Sequence, residues 1–416
     1  MGLLGTILIR LSANGREALK KQIYLVGTAD TKGGELDYLA QRLRDLGAEP
    51  LIVDVGTRGA TIPVDICARQ VAEYGSTGAD AILGVDDRGA AVAGMTQAFE
   101  RFVETRLDIA GILGIGGGGG TAIVTAGMRK LPIGLPKIMI STLASGDVAP
   151  YVGVSDIIMM PAITDMAGLN RISRVIFQNA AQAMAAMSAN PPAVSGGKPA
   201  LGLTMFGVTT PAVTQITRQL ADDYETLVFH ATGTGGRTME ALVDSGLLAG
   251  VLDITTTEIC DLLFGGVLPA GPDRLDAIAR TKLPYLGSVG ALDMVNFWAP
   301  DTVPPRYAGR RLYKHNPNVT LMRTTAEECR AIGRWLGEKL NACDGPVRFL
   351  IPERGVSALD IDGGAFFDPD ADRVLFDTIA DTVRWGQNRK LERLPVHIND
   401  PEFAAAAVAA FQEIAR

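Results

Sequence analysis

The feature that most restricts this chain is a repeated alternation. A short apolar, β-branched run is followed by a glycine- and hydroxyl-rich loop, then by a segment with apolar residues at helical spacing. QIYLVGT, starting at Gln22, leads into GELDYLAQRLRDLG, where Leu36, Leu39, Leu43 and Leu46 share one helical face. EPLIVDVG, IAGILGIGG, PKIMIST and DIIMMP are four further strand candidates. Helical stretches near Val64 to Tyr74 and Gly89 to Arg106 lie between them, and one from Asn170 to Met187 closes the series. Continuous apolar runs are strands buried on both faces, and their alternation with helices specifies a parallel sheet with crossover connections. Five strands in one open sheet are predicted for this half.

SANPPAVSGGKP, residues 188 to 199, has linker composition, and the pattern restarts after it with ALGLTMFGV, TLVFHAT and GVLDITTTE. At 416 residues the chain exceeds what one hydrophobic core supports. The expected architecture is therefore α/β with two Rossmann-like domains, each a mainly parallel sheet flanked by helices. Residues 1–21 read as an N-terminal extension, 22–190 as a nucleotide-binding domain, 191–199 as a linker and 200–416 as a second α/β domain.

Several classes fall away. Acidic residues outnumber basic ones 46 to 39, a formal net charge of −7 with no basic stripe, which disfavours nucleic acid as a partner. The four cysteines, Cys67, Cys260, Cys329 and Cys343, are widely spaced, so neither a disulfide framework nor a zinc ribbon is indicated and a reducing cytoplasm is expected. No apolar stretch of about 18 residues suggests a membrane span. Gly2 and Thr6 match a loose myristoylation pattern. No GxSxG elbow, HExxH helix or metal-spaced His/Cys cluster is present.

In an open parallel sheet, ligands bind beyond the carboxyl ends of the strands, so the chemistry is sought in the loops that follow them. After the first strand, Thr28, Asp30, Thr31, Lys32 and Glu35 combine hydroxyls, a cation and two carboxylates ahead of a helix. Unpaired helix N–H groups and Lys32 suit an anion, and Asp30 or Glu35 suits magnesium; a helix cap with a solvated lysine is the competing reading. After the third strand come Gly116, Gly117, Gly118, Gly119, Gly120 and Thr121. Each glycine costs roughly 0.5–1 kcal/mol relative to alanine in a regular element, so close approach of a ligand to backbone explains the run better than chance. Ser141, Ser145, Gly146 and Asp147 follow the fourth strand, and Asp54, Gly56 and Thr57 the second. Asp86, Asp87 and Arg88 read as helix capping.

The second domain repeats the theme. Thr209 and Thr210, then Gly233, Gly235 and Gly236, then Thr255 and Glu258, and finally Arg354 are substrate-binding candidates at strand ends. His230 ends a strand before a glycine loop, where a sheet enzyme places a general acid or base, although a hydrogen-bonded rim histidine is the alternative. Asp293, Asn296 and His315 are further candidates; His397 reads as a surface residue without a specific role.

VGTADTKGGEL, GIGGGGGTAIVTAGMRKLPIGLPKIMISTLASGD, PYVGVSDI and DMAGLNRISR, with LGLTMFGVTTP, FHATGTGGRTME and LDITTTEICD, resemble the family of the tomato mosaic virus resistance protein's N-terminal ATP-binding region. The resemblance runs from about Gln22 to the C-terminus. It implies ATP and magnesium in the first domain, and a homodimer. In plants and fungi the family is fused to a TIM barrel, so the resemblance also implies a separate TIM-barrel partner for a chain of this kind. Gly118 stands where many relatives carry serine, removing one hydroxyl. Together these readings predict an Mg-ATP-binding protein acting on, or sensing, a small anionic metabolite between its domains, with Asp30 and His230 as the catalytic pair. The alternatives are an ATP-independent lyase or isomerase of a phosphorylated or keto-acid metabolite, and a non-catalytic regulator of the barrel partner.

Overall fold

The computed structural model describes residues 21–190 and 197–415. The N-terminal extension, with its myristoylation pattern, and most of the linker lie outside the described residues. The chain splits between Pro191 and Pro192 into two compact units.

The first unit runs β1 (Gln22–Gly27), α1 (Ala29–Asp45), β2 (Pro50–Asp54), α2 (Ala68–Ala72), α3 (Ala79–Leu83), α4 (Arg88–Glu104), β3 (Ile109–Gly116), α5 (Gly118–Arg129), β4 (Lys137–Ser141), α6 (Ala149–Val152), β5 (Ile158–Pro161) and α7 (Arg171–Ala189). Its five strands are all parallel in the order β2-β1-β3-β4-β5. Alternate strand residues feed two cores. Tyr24, Val26, Ile112 and Met139 pack with residues of α4 and α5 on one face. Ile23, Leu25, Leu113 and Ile140 pack with residues of α1 and α7 on the other.

The second unit comprises β6 (Ala200–Met205), α8 (Thr210–Leu220), β7 (Glu225–His230), α9 (Thr234–Asp244), β8 (Gly250–Thr255), α10 (Glu258–Phe264), α11 (Asp276–Thr281), β9 (Tyr285–Gly290), β10 (Met294–Phe297), β11 (Leu312–Asn316), β12 (Val319–Arg323), α12 (Ala326–Asn341), β13 (Val347–Pro352), α13 (Pro369–Thr382), β14 (Arg389–Leu394) and α14 (Pro401–Ile414). A six-stranded parallel sheet has the order β14-β13-β9-β8-β6-β7. Read from its other edge, it repeats the first unit's order with one strand added. Both units are doubly wound α/β folds, as the alternation predicts.

Three features depart from the sequence reading. Helix α1 begins at Ala29 rather than Gly34, with non-helical backbone at Lys32 between its first turn and the rest. Strand β11, which follows directly after Arg311, joins β10 and β12 in a separate antiparallel sheet that the βα alternation does not signal. Strand β14 was not anticipated because RKLERL has four charged residues and only two leucines, without a strand period, at a sheet edge. Among the described residues no helix is long and apolar enough to cross a membrane.

Candidate functional site

In the first unit the chain leaves β1 toward β2 on one side, while β3 lies on the other. α1 and α5 then cover opposite faces of the sheet. This reversal opens a crevice at the carboxyl ends of β1 and β3, the place where doubly wound sheets take ligands. A cavity of about 470 Å³ lies there, within the range of roughly 300–1,000 Å³ typical of small-molecule sites. Its lining brings together Thr28, Asp30, Thr31 and Lys32 after β1, Thr57 and Arg58 after β2, and Gly117 to Gly120 after β3. Leu83, Val85, Asp86, Arg88 and Val92 form the wall from the α3 and α4 region.

The glycine run is built from unlike parts. At Gly116 a Cβ would fall 2.7 Å from the Gly120 carbonyl carbon and the Thr121 nitrogen, so the tight turn into α5 requires glycine there. At Gly117, Gly118, Gly119 and Gly120 the nearest atoms to a Cβ are 3.5–3.9 Å away, and none has positive φ. Nothing in the protein demands glycine at these four positions, which face the cavity. They open α5, and the amides of Gly118, Gly119 and Gly120 have no acceptor among the described residues. Such amides, reinforced by the helix dipole, favour an anion.

The β1 loop is braced from β2. Buried Asp54 accepts hydrogen bonds from the amides of Ala29 (2.9 Å) and Gly56 (2.8 Å). Burial, with the neighbouring Asp30 charge, raises its carboxyl above the ordinary range despite those bonds. Asp54 thus takes the structural role of a strand-to-loop brace. Gly56, expected to touch a cofactor, instead makes room for Asp30, whose Cγ would lie 3.1 Å from a Cβ at that position. Asp30 keeps one buried oxygen, Oδ1, without a hydrogen-bond partner. Thr28 and Thr31 join their hydroxyls at 2.8 Å. Lys32 donates its ammonium to the Met166 carbonyl.

Other expected residues are drawn away from the cavity. Glu35 is buried and accepts from the Gly168 amide at 2.8 Å, so its carboxylate is turned from the magnesium position assigned to it. Thr121 and Ser141 are buried and bonded to each other at 2.7 Å, tying α5 to the end of β4. Ser145, Gly146 and Asp147 are exposed outside the cavity lining, and Asp147 accepts from the Ala149 amide as a local cap. Asp87 does cap α4, through Ala90, but its neighbours Asp86 and Arg88 line the cavity.

In the second unit the candidate residues serve packing. Glu258 is fully buried, accepts from the Gly233 amide at 2.7 Å and pairs with Arg274 at 2.6 Å. A Cβ at Gly236 would fall 1.8 Å from Glu258 Oε1, one at Gly235 1.9 Å from the His230 carbonyl, and one at Gly233 2.2 Å from the Pro269 carbonyl. These glycines admit the protein's own atoms. Thr209 and Thr255 bond each other at 2.7 Å in the interior, and Thr210 reaches back to the Phe206 carbonyl. His230 and Arg354 are exposed. The imidazole lies 5.2 Å from the Phe206 ring and has no hydrogen-bond partner among the described residues. His397, read as a surface residue, is buried, with Nε2 2.9 Å from the Ser357 carbonyl and Nδ1 accepting from Asn399.

Arg58 was missed, although the strand-end rule that found Thr57 reaches one residue further. Of the α3 and α4 wall the sequence marks only Asp86 and Arg88, and as capping residues; Leu83, Val85 and Val92 carry no signal, because they are apolar and distant in the chain from the glycine loops.

These features define a two-unit protein built from doubly wound α/β sheets, with a crevice cavity in the first. Residues 21–192 match the N-terminal domain, and residues 198–415 the C-terminal domain, of a group described as "Uncharacterised protein family (UPF0261)". The chain belongs to the UPF0261 family. It is 68% identical over 395 residues to a UPF0261 protein of Rhizobium meliloti, covering 95% of this chain and 99% of that one. It is 41% identical over 419 residues to the ToMV resistance protein Tm-1(GCR237) of Solanum lycopersicum, covering 94% of this chain but 56% of the tomato protein. The Streptomyces glycosyltransferase SsfS6 aligns over 64% of this chain and 81% of its own at 12% identity and a TM-score of 0.19, a likeness too slight to carry an inference.

Proposed function

We propose that the first unit binds a nucleotide as Mg-ATP in the cavity between the β1 and β3 loops, and that the protein acts on or senses a small anionic metabolite in the cytoplasm. The observation that carries this reading is the run Gly117 to Gly120, where open space replaces the intramolecular contact that would otherwise explain glycine. A polyphosphate would take the free α5 amides, with Lys32, Arg58 and Arg88 as cations on the cavity wall. The apolar side chains of Leu83, Val85 and Val92 suit the uncharged body of such a ligand.

Magnesium fits this site as a ligand-borne ion. Among the described residues no group of three His, Cys, Asp or Glu side chains is arranged to hold a metal. Magnesium, however, binds through one or two carboxylates plus substrate phosphates. The unpartnered Asp30 oxygen is the carboxylate available, with Asp86 also in the cavity lining. When bound, the ion would neutralise phosphate charge.

The exposed His230, lacking a partner base or acid, supports no catalytic step. A non-catalytic regulatory role toward a separate TIM-barrel protein is the alternative reading, and it rests on the family resemblance. The homodimer is carried by the family resemblance.

Calorimetric titration of the full chain with Mg-ATP and, separately, with inorganic tripolyphosphate tests the reading. Saturable binding of Mg-ATP, weakened in Lys32→Ala, supports it. Absence of binding by either probe overturns it, and tripolyphosphate binding alone would leave a phosphate site without nucleotide selectivity.

A further inference from the structure

A second polar cluster lies inside the second unit, independent of the cavity. Asp293, in the turn between β9 and β10, and Asp360, in the 353–368 loop between β13 and α13, are fully buried. Asp372 on α13 is 4% exposed and Arg323 on β12 is 3% exposed. Three carboxylates thus share one guanidinium.

The donors do not suffice for the acceptors. Arg323 has five N–H groups. Nε donates to the Phe366 carbonyl at 2.7 Å, Nη1 to the Thr324 carbonyl and hydroxyl, and Nη2 to the Asp368 carbonyl and to Asp372 at 2.5 Å. None is left for Asp360, whose Oδ1 is 4.0 Å from Nη2. Asp360 Oδ2 is satisfied by the Val356 amide, and Asp293 Oδ2 by the Ser357 hydroxyl at 2.7 Å. The remaining oxygens, Asp293 Oδ1 and Asp360 Oδ1, are buried and have no hydrogen-bond partner.

The surroundings supply no further cation. Cys329 of α12 meets the Thr324 hydroxyl at 3.4 Å, and Cys260 of α10 bonds the Leu292 carbonyl. Both ring nitrogens of His397 are engaged elsewhere, Nδ1 with the Asn399 amide and Nε2 with the Ser357 carbonyl. Fully ionised, the cluster would bury two uncompensated negative charges, a cost that a protein avoids by neutralising a group. Metal chemistry does not meet the deficit, since no three acidic, histidine or cysteine groups among the described residues are arranged for it.

We propose that Asp293, with the buried charge of Asp360 as its neighbour, takes up one proton on folding and holds it toward neutral pH, making the order of the 353–368 loop proton-dependent. A proton on the free Asp293 oxygen removes one buried charge and turns an unsatisfied acceptor into a donor. Burial, the first cause, pushes both the Asp293 and the Asp372 carboxyls upward against the opposing pull of Arg323; Asp372 has the guanidinium as its direct partner, whereas Asp293 keeps an unbonded oxygen. The loop follows β13 at the carboxyl rim of the second sheet, so ionisation would loosen the rim and leave the strands in place.

The three tryptophans, Trp298, Trp335 and Trp385, all lie in the second unit, so their fluorescence reports its unfolding in the full chain. Unfolded carboxyls titrate near pH 4, and a native group that holds its proton longer binds more protons than the unfolded chain in between. The folding equilibrium constant of wild type should therefore fall by up to about tenfold per pH unit between about pH 5 and 7 and level off above that. Asp293→Asn and Asp360→Asn each keep an acceptor for the existing bond and should lose most of this dependence. A wild-type constant independent of pH, or an unchanged slope in both variants, overturns the proposal. So does loss of the slope only in Asp372→Asn, which would put the proton on Arg323's direct partner.

Discussion

Arg274 donates its Nε–H to Glu258 at 2.6 Å with both side chains buried, and its remaining nitrogens reach Glu240 at 2.9 Å and Asp253 at 2.8 Å. Three elements of the second unit meet on this one guanidinium, because Glu240 lies on α9, Asp253 on β8 and Glu258 on α10, while Arg274 itself sits in the loop just before α11. Removing one partner of a buried pair leaves an uncompensated charge, at a cost of about 3–5 kcal/mol. Arg274→Met is expected to destabilise the second unit by that amount in urea unfolding followed by tryptophan fluorescence. Gly236→Ala should be comparably damaging, since its methyl would overlap Glu258 Oε1. A loss below about 1 kcal/mol in both would remove the network from the unit's stability.

Gly118→Ala should have two opposite effects. The added methyl meets nothing within 3.9 Å and the backbone is not left-handed, so restricting the unfolded chain should stabilise the first unit by about 0.4–1 kcal/mol. The same methyl enters the cavity and should weaken Mg-ATP at least several-fold. Gly116→Ala, whose methyl would strike the Gly120 and Thr121 backbone, should destabilise instead. Hydrogen exchange of β1 and β3 amides with parallel calorimetry checks both halves. Full affinity in a stable Gly118→Ala protein would show that no ligand approaches this backbone.

Lys32 and Glu35 begin the same helix and should separate binding from stability. Lys32→Ala is expected to weaken Mg-ATP by a charge-assisted contact, about 1.5–3 kcal/mol, seen as a rise in Kd on titration. Glu35 accepts from Gly168 outside the cavity lining, so Glu35→Gln should leave that Kd unchanged while loosening the 162–170 segment in hydrogen exchange. An equal rise in Kd for the two variants would return Glu35 to the site.

How much was legible depended on whether a residue's neighbours are local. The runs QIYLVG and IAGILGIG could be read as strands because parallel strands are apolar on both faces. The charged edge strand RKLERL and the exposed β11 lack that signature. Gly118 and Gly236 look alike in sequence, each following a strand and opening a helix. They differ in what a Cβ would meet, open cavity in one case and a buried carboxylate oxygen in the other. The same limit hid Glu258, whose partner Arg274 is set by the fold alone.

Asp108 ties the start of β3 to β1. It accepts from Tyr24 at 2.9 Å and from two nitrogens of Arg106, at 3.1 and 2.8 Å. Burial pushes its carboxyl upward, but the bonds from Arg106 and Tyr24 outweigh this and hold it below the ordinary range. A depressed native acid contributes stability that is fully present above the unfolded value near pH 4, and this contribution fades as pH falls through the native one. The first unit should therefore lose part of its stability below about pH 4, and Asp108→Asn should lower its stability at pH 7 while flattening this acid limb. Hydrogen exchange of the Tyr24 and Leu25 amides measured from pH 3 to 6, corrected for intrinsic rates, gives the comparison. Parallel acid limbs in the two proteins would mean that the Tyr24–Arg106–Asp108 group plays no part in the acid stability of the sheet.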